Sequence, residues 1–294
     1  MGENYVLFHI EGGLGKNIAA TAVAACIKNN FPERKLIVVC SYPEIFLSLP
    51  FVDRVYPLGN SLYLYEDYIK NKNTIIFRHE PYFTMDHIYK RKHLIENWCN
   101  LYNLTYKGEA PVLIFTYPLL DMIKNVWKRD KPIMVLQTNG GPMDGQGLTY
   151  SWTRDMPLSL SKSIVEEFKK DYHIIQVCRN SENAIPGIEA FNTKTSNMEF
   201  LSLLLFSEKR VLIDSSLQHG AAALAMPSTV LWIGTSPAVF GYGSHKNIVC
   251  NIPDHKLPNS YLFDYSFNGN VQECPFISDD IFNTEIVIDT IRNT

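Results

Sequence analysis

Short apolar runs alternate with longer segments of helical periodicity along the whole chain. The runs that predict strands are residues 5–10, 35–40, 54–57, 74–77, 133–137, 174–178, 211–213 and 229–233. These runs lack the alternation of polar and apolar residues that is typical of a strand with one solvent-exposed face. Buried strands separated by helices are typical of a parallel sheet that is covered on both faces.

The segments between these runs predict helices, two of which are rich in alanine. They are residues 17–30, 85–102, 159–170, 198–206 and 217–225. Because the pattern restarts at Ile133, we predict an α/β fold of two facing Rossmann-like, doubly wound domains. The predicted limits are residues 1–125 for the first domain, 130–280 for the second and 281–294 for a closing helix, with a linker near 118–132. Ligands of such sheets bind at the carboxyl ends of the strands, which predicts a cleft between the domains.

Composition narrows the class of protein. The chain has 294 residues, 46% of them hydrophobic, with 27 basic and 30 acidic side chains. This balance is typical of a globular protein and lacks the bulk positive charge of a nucleic-acid binder. No apolar run approaches the roughly 18 residues of a membrane span, and the N-terminus lacks the basic region of a signal peptide. We therefore expect a cytoplasmic protein without a transmembrane segment.

A glycine-rich loop, E-G-G-L-G-K-N at residues 11–17, follows the first predicted strand. It is not a Walker A loop, because Ile10 stands where the first glycine is required and Asn17 replaces Ser or Thr. Glycines allow close approach of a ligand or of another backbone, and helix N-terminal amides favour anions. The loop is therefore either a tight turn or a ligand contact. Its candidate residues are Gly12, Gly13, Gly15 and Lys16.

A second loop, Asp214, Ser215 and Ser216, follows the predicted strand at 211–213. Either serine is a suitable N-cap for the next helix, whose first amides would then favour a phosphate. His219 comes one turn later, from where its ring could reach a diphosphate. The alternative is an ordinary N-cap followed by a structural histidine.

A third segment, residues 138–157, is polar and has no evident secondary structure. A structureless stretch of this length in a compact domain is unusual unless it is functional. Arg154 stands just ahead of a predicted helix start, where a cation suits a phosphate; its alternative role is to pair with local acids. Thr138, Asn139 and Asp144 are further polar candidates in this segment.

Taken together, these residues resemble a known family. D-S-S-x-x-H at 214–219, A-A-A-L-A-M-P at 221–227 and W-I-G-T at 232–235 are similar to the C-terminal signature of glycosyltransferase family 9. Those heptosyltransferase-like enzymes have the GT-B fold. The resemblance implies inverting, metal-independent sugar transfer from a nucleotide-diphosphate sugar to an acceptor hydroxyl, without a cofactor. It places the donor on Asp214, Ser215, Ser216, His219, Thr138, Asn139 and Arg154.

The chain departs from the family at the position of the catalytic base. The family's N-terminal loop carries an acid after its glycine, where this chain has Lys16, and a lysine is a poor base near neutral pH unless it is strongly desolvated. The candidate bases are Glu11, His9 and Asp144, with Glu11 first because a strand-end loop faces the cleft. No D-x-D triplet occurs, so cations and helix dipoles would have to neutralise the leaving group.

The acceptor stays open at this stage. The resemblance to glycosyltransferase family 9 favours a surface glycan as the acceptor. The alternative acceptors are a small glycoside, a protein and a modified nucleobase in DNA, for which the basic residues 90–93 are a modest candidate contact. The alternative functions are a nucleotide-sugar epimerase of GT-B form and a degenerate module that binds a nucleotide sugar.

Overall fold

The first half of the chain forms a parallel sheet of four strands in the computed structural model, which describes residues 3–140, 151–191, 195–252 and 280–294. The strands are β1 (Asn4–Ile10), β2 (Lys35–Cys40), β3 (Arg54–Pro57) and β4 (Asn73–Phe77). They lie in the order β3-β2-β1-β4, and all pairs are parallel. β1 lies between β2 and β4, and its apolar run is largely buried.

A second, separate parallel sheet begins at Ile133. Its strands are β5 (Ile133–Gln137), β6 (His173–Val177), β7 (Glu189–Phe191), β8 (Ser207–Ile213), β9 (Thr229–Trp232) and β10 (Lys246–Val249). Their order is β10-β9-β8-β5-β6-β7. The predicted fold class, an α/β protein with two parallel sheets, is therefore confirmed.

Helices cover these sheets. In the first half they are α1 (Leu14–Asn30), α2 (Leu64–Tyr68), α3 (Met85–Ile88), α4 (Leu94–Leu101) and α5 (Tyr117–Ile123). In the second half they are α6 (Leu158–Phe168), α7 (Asn197–Ser202), α8 (Ser216–Ala223), α9 (Pro237–Phe240) and α10 (Thr284–Arg292). None of the helices in the described ranges is long and apolar enough to cross a membrane.

The strand order creates a switch point in each sheet. The chain runs from β1 to β2 on one side and later adds β4 on the other side of β1. In the same way β5 is flanked by β6 and β8. A crevice opens at the carboxyl ends of the strands at such a point. The loops after β1 and β4, and those after β5 and β8, therefore line the two crevices.

The alanine-rich helix α1 joins the two halves. Ile18, Ala19, Ala22, Val23 and Cys26 are all fully buried, and they belong to a core that extends from the first sheet to the second. Small side chains allow this helix to be covered on several faces, which explains why its apolar residues show no single stripe.

Several element limits differ from the sequence prediction. The helix expected over 85–102 is broken, because Lys90 has φ 54° and His93 caps a new helix by accepting a hydrogen bond from the Ile95 amide. The helix expected over 198–206 ends at Ser202, and β8 begins at Ser207. The expected linker contains α5.

The closing helix is present as α10 and buries Val287 and Ile291 in the core of the second sheet. The five described cysteines are buried and free of disulfides, whereas Cys274 lies outside the described residues. The domain limits themselves stay a prediction.

Candidate active site

Gly15, in the first turn of α1, brings the two crevices together. A Cβ at Gly15 would lie 2.9 Å from His219 Cδ2, 3.2 Å from Ser216 Cα and 3.4 Å from the Ser216 amide nitrogen. The glycine-rich loop of the first sheet therefore abuts the D-S-S-x-x-H loop of the second sheet. Gly15 serves the close approach of another backbone, which was one of the roles that the sequence left open.

We expect Gly15→Ala to lower the free energy of unfolding by about 1–3 kcal/mol, because the Ser216 backbone cannot move aside as a flexible side chain would. Gly13→Ala is the matched control, since a Cβ there meets nothing within 4 Å. The control should lose at most about 1 kcal/mol, the scale of an N-cap preference. Denaturant unfolding of both variants measures the difference, and equal losses would contradict the proposed contact.

Gly12 has a different role, because it makes room for Lys16. Its φ is +89°, and a Cβ there would lie 2.7 Å from Lys16 Nζ. The lysine arches back over the glycine, and its Nζ donates to Glu80 Oε2 at 2.8 Å. The same nitrogen lies 4.9 Å from the ring centroid of Tyr82, within the range of a cation–π interaction.

Glu11 stands at the carboxyl end of β1, as predicted, and its side chain is 54% exposed. Arg78, which directly follows β4, approaches it with Nη2 at 3.9 Å from Glu11 Oε1. His9 Nδ1 lies 3.7 Å from the same oxygen. Burial lowers the pKa of His9, an effect that Glu11 opposes, so the ring is neutral at neutral pH. The third candidate base, Asp144, lies outside the described residues.

On the second sheet, Asp214 and Ser215 follow β8. Ser215 is the N-cap of α8, but its side chain makes no capping hydrogen bond, and the first turn of the helix contains no acid. The amides of this turn are thus not occupied by a carboxylate of their own helix. Arg154 Nε lies 3.9 Å from Asp214 Oδ2, and the Asp214 side chain is only 8% exposed.

Thr138 and Asn139, after β5, belong to a polar network. Asn139 Nδ2 donates to Asp155 Oδ2 at 3.0 Å, and Arg179 Nη2 donates to both oxygens of Asp155 at 2.9 and 3.1 Å. Thr138 Oγ1 accepts from Gln176 Nε2 at 2.8 Å. These bonds fix the loop after β5 beside Asp155 and the loop after β6. Arg179 and Gln176 were not identified from the sequence, although Arg179 follows the end of the neighbouring strand β6.

His219 is buried, and both of its ring nitrogens have protein partners. Nδ1 lies 2.7 Å from Tyr242 Oη, and Nε2 lies 3.1 Å from Gln218 Nε2. Burial, with smaller effects from nearby cationic groups, lowers the pKa of His219 to about 3. The ring is therefore neutral at neutral pH in the ligand-free protein. A donor contact by His219 stays a prediction, and Tyr242 holds its orientation.

The basic residues 90–93 are largely engaged within their own segment. Lys92 Nζ lies 3.1 Å from Asp86 Oδ2, and the Arg91 guanidinium lies 5.0 Å from the ring centroid of Tyr89. His93 caps α4. These contacts do not favour a phosphate-binding surface. Across the described ranges, no group of three or more His, Cys, Asp or Glu side chains is arranged to hold a metal ion.

Sequence comparison identifies no relative: no family profile and no curated protein matches the chain. In structure, the chain is similar to the glycosyl transferase family 9 protein from Veillonella parvula, with 12% identity, a TM-score of 0.69, and coverage of 100% of this chain and 97% of that chain. It is also similar to the iron-containing dodecameric glycosyltransferase TibC from enterotoxigenic E. coli, with 14% identity, a TM-score of 0.67, and coverage of 100% and 76%. A third similar structure is E. coli heptosyltransferase WaaC with ADP-2-deoxy-2-fluoro heptose, with 15% identity, a TM-score of 0.54, and coverage of 90% of this chain and 100% of that chain.

These similarities extend over nearly the whole chain and agree with the GT-B architecture that the sequence motifs implied. At such low identity they establish the fold alone.

Proposed function

We propose that the protein is a glycosyltransferase that moves a sugar from a nucleotide-diphosphate sugar to an acceptor hydroxyl, with inversion and without a metal ion. The observation that carries this proposal is the D-S-S-x-x-H loop at the switch point of the second sheet, in a fold shared over the whole chain with glycosyltransferase family 9 structures. The acceptor we propose is a glycan hydroxyl.

The donor diphosphate would lie at the N-terminus of α8. The amides after Ser215 and the aligned peptide dipoles of the helix favour an anion there. Arg154 would supply a charged donor of hydrogen bonds, and Asp214 would orient it. Thr138 and Asn139 would form the wall of this site through the network that contains Asp155.

The acceptor would approach from the first sheet, opposite the donor. As its oxygen attacks the anomeric carbon, the bond from that carbon to the diphosphate breaks and the hydroxyl proton must leave. Glu11, which follows β1, would accept this proton. Arg78 Nη2 lies 3.9 Å from Glu11 Oε1 at the same edge of the sheet.

A panel of nucleotide-diphosphate sugars tests the proposal by thermal shift, since a ligand that binds only the folded protein raises its apparent stability. A donor that binds is then incubated with candidate glycan acceptors, and a transfer product is expected. Conversion of the donor sugar without an acceptor would indicate an epimerase instead. Binding without conversion would indicate a binding module.

We expect EDTA to leave both donor binding and transfer unchanged. The chain has no D-x-D triplet, and the proposed site offers Arg154 and the α8 amides to the leaving diphosphate in place of a cation bridge. The measurement is the transfer rate with and without EDTA. Loss of activity that magnesium or manganese restores would contradict metal independence.

A further inference from the structure

Among the described residues, the donor side of the cleft has little net positive charge for a leaving diphosphate. Arg154 lies beside Asp214, Arg179 is bound by Asp155, and His219 is neutral. Cleavage of the sugar–diphosphate bond leaves extra negative charge on the distal phosphate, and this charge needs a preorganised partner. A further cation from elsewhere in the site would meet this need.

Lys16 is placed to supply it from the first sheet. It follows Gly15, whose backbone lies against Ser216 at the start of α8. Its side chain is 18% exposed, so it lies at the edge of the cleft rather than in bulk solvent. The absence of a side chain at Gly12 allows the ammonium group to fold back to its present position.

The partner of Lys16 is also the easiest of these carboxylates to displace. Glu80 accepts one described hydrogen bond, from Lys16, and its side chain is 26% exposed. Asp214 is 8% exposed, and Asp155 is fixed by bonds to Arg179, Asn139 and the Gly140 amide. Glu80 can therefore turn towards water, whereas Tyr82, 4.9 Å from the ammonium, continues to hold the cation.

We infer that Lys16 binds the distal phosphate of the donor. Before the donor binds, Glu80 pairs with Lys16 as an internal counter-ion, and the diphosphate then replaces Glu80. This inference rests on the proposed function. It assigns a donor contact to the first sheet, so that the diphosphate would join the two crevices. No covalent step is required of Lys16 or Glu80.

The two residues then have opposite effects on diphosphate affinity. Lys16→Met keeps the length of the side chain and removes its charge, and it should weaken nucleoside diphosphate binding by about 10- to 100-fold. Glu80→Gln removes the competing negative charge and should strengthen the same binding about threefold, by relief of like-charge repulsion. A purely structural ion pair predicts a loss, or no change, in both variants.

The experiment uses ADP, UDP, GDP and CDP, each compared with its own monophosphate, on the full chain by isothermal titration. Wild-type protein should prefer a diphosphate, Lys16→Met should lose that preference with little change for the monophosphate, and Lys16→Arg should retain it. Thermal unfolding checks that each variant is folded, and Lys16→Gln replaces Lys16→Met if the latter is not.

An unchanged diphosphate preference in Lys16→Met, or an equal loss for diphosphate and monophosphate, would overturn the inference while leaving the proposed function intact. Weaker diphosphate binding in Glu80→Gln would overturn the counter-ion role. If wild-type protein binds none of the nucleotides or nucleotide sugars, the proposed function fails, and the inference fails with it.

Discussion

Glu11→Gln is expected to lower the turnover number for sugar transfer by about 10²–10⁴-fold, the usual contribution of a general base. The substitution keeps the size of the side chain and most of its hydrogen bonding but removes the oxygen that accepts a proton. Donor affinity should change little, because in the proposed reaction Glu11 contacts the acceptor hydroxyl and not the diphosphate. The effect should therefore appear in kcat rather than in the dissociation constant of the donor.

The control is Glu33→Gln, which removes a carboxylate of similar exposure, 63% against 54%, from the first half of the chain. Its turnover should match that of the wild type. Transfer rates at saturating donor and acceptor, together with donor binding, measure both variants. Near-normal turnover in Glu11→Gln would exclude this residue as the base and direct the search to His9 and Asp144.

The strands that the sequence predicts best are those buried on both faces. The runs at 35–40 and 133–137 coincide with β2 and β5, because burial on both faces requires an unbroken apolar run. The edge strand β3 was also predicted, although it is only partly buried. The edge strands β7, with the sequence E-A-F, and β10, with K-N-I-V, were missed. Each has one neighbour in its sheet and retains polar residues, so it carries no such run.

Positions of candidate site residues could be predicted because they follow apolar runs. Glu11 follows β1, and Asp214 follows β8. The interaction partners of these residues could not be predicted, because they depend on which strands become neighbours in the sheet. Lys16 meets Glu80 only because β4 pairs with β1, and Asp155 meets Arg179 across a gap of 24 residues.

The charge state of His219 could not be predicted from the sequence either. His219 was predicted either to reach a diphosphate or to be structural, and the residue type alone does not show that its ring is buried. Packing beside Tyr242 and Gln218 keeps the ring neutral and fills both nitrogens. With a neutral His219, the positive charge at the proposed donor site would come from arginine, from lysine and from helix dipoles, which increases the importance of Arg154.

Arg154→Ala is expected to weaken donor binding by about 100-fold, which is the upper end of what one charge-assisted contact to phosphate contributes. Two effects add. The variant loses the guanidinium donors, and it leaves Asp214, 8% exposed, as a poorly screened negative charge beside an anionic ligand. The fold should persist, because the Arg154 side chain is 35% exposed.

A double-mutant cycle with Asp214→Asn separates these two effects. Asp214→Asn alone is measured first, because Asp214 can contact the donor itself. Adding Arg154→Ala to the Asp214→Asn background should then cost only about 10-fold in affinity, because no buried negative charge is exposed to the diphosphate. Titration of the four variants with the donor found in the panel gives the coupling. Wild-type affinity in Arg154→Ala would exclude a donor contact, and equal losses in both backgrounds would show that Asp214 does not act through Arg154.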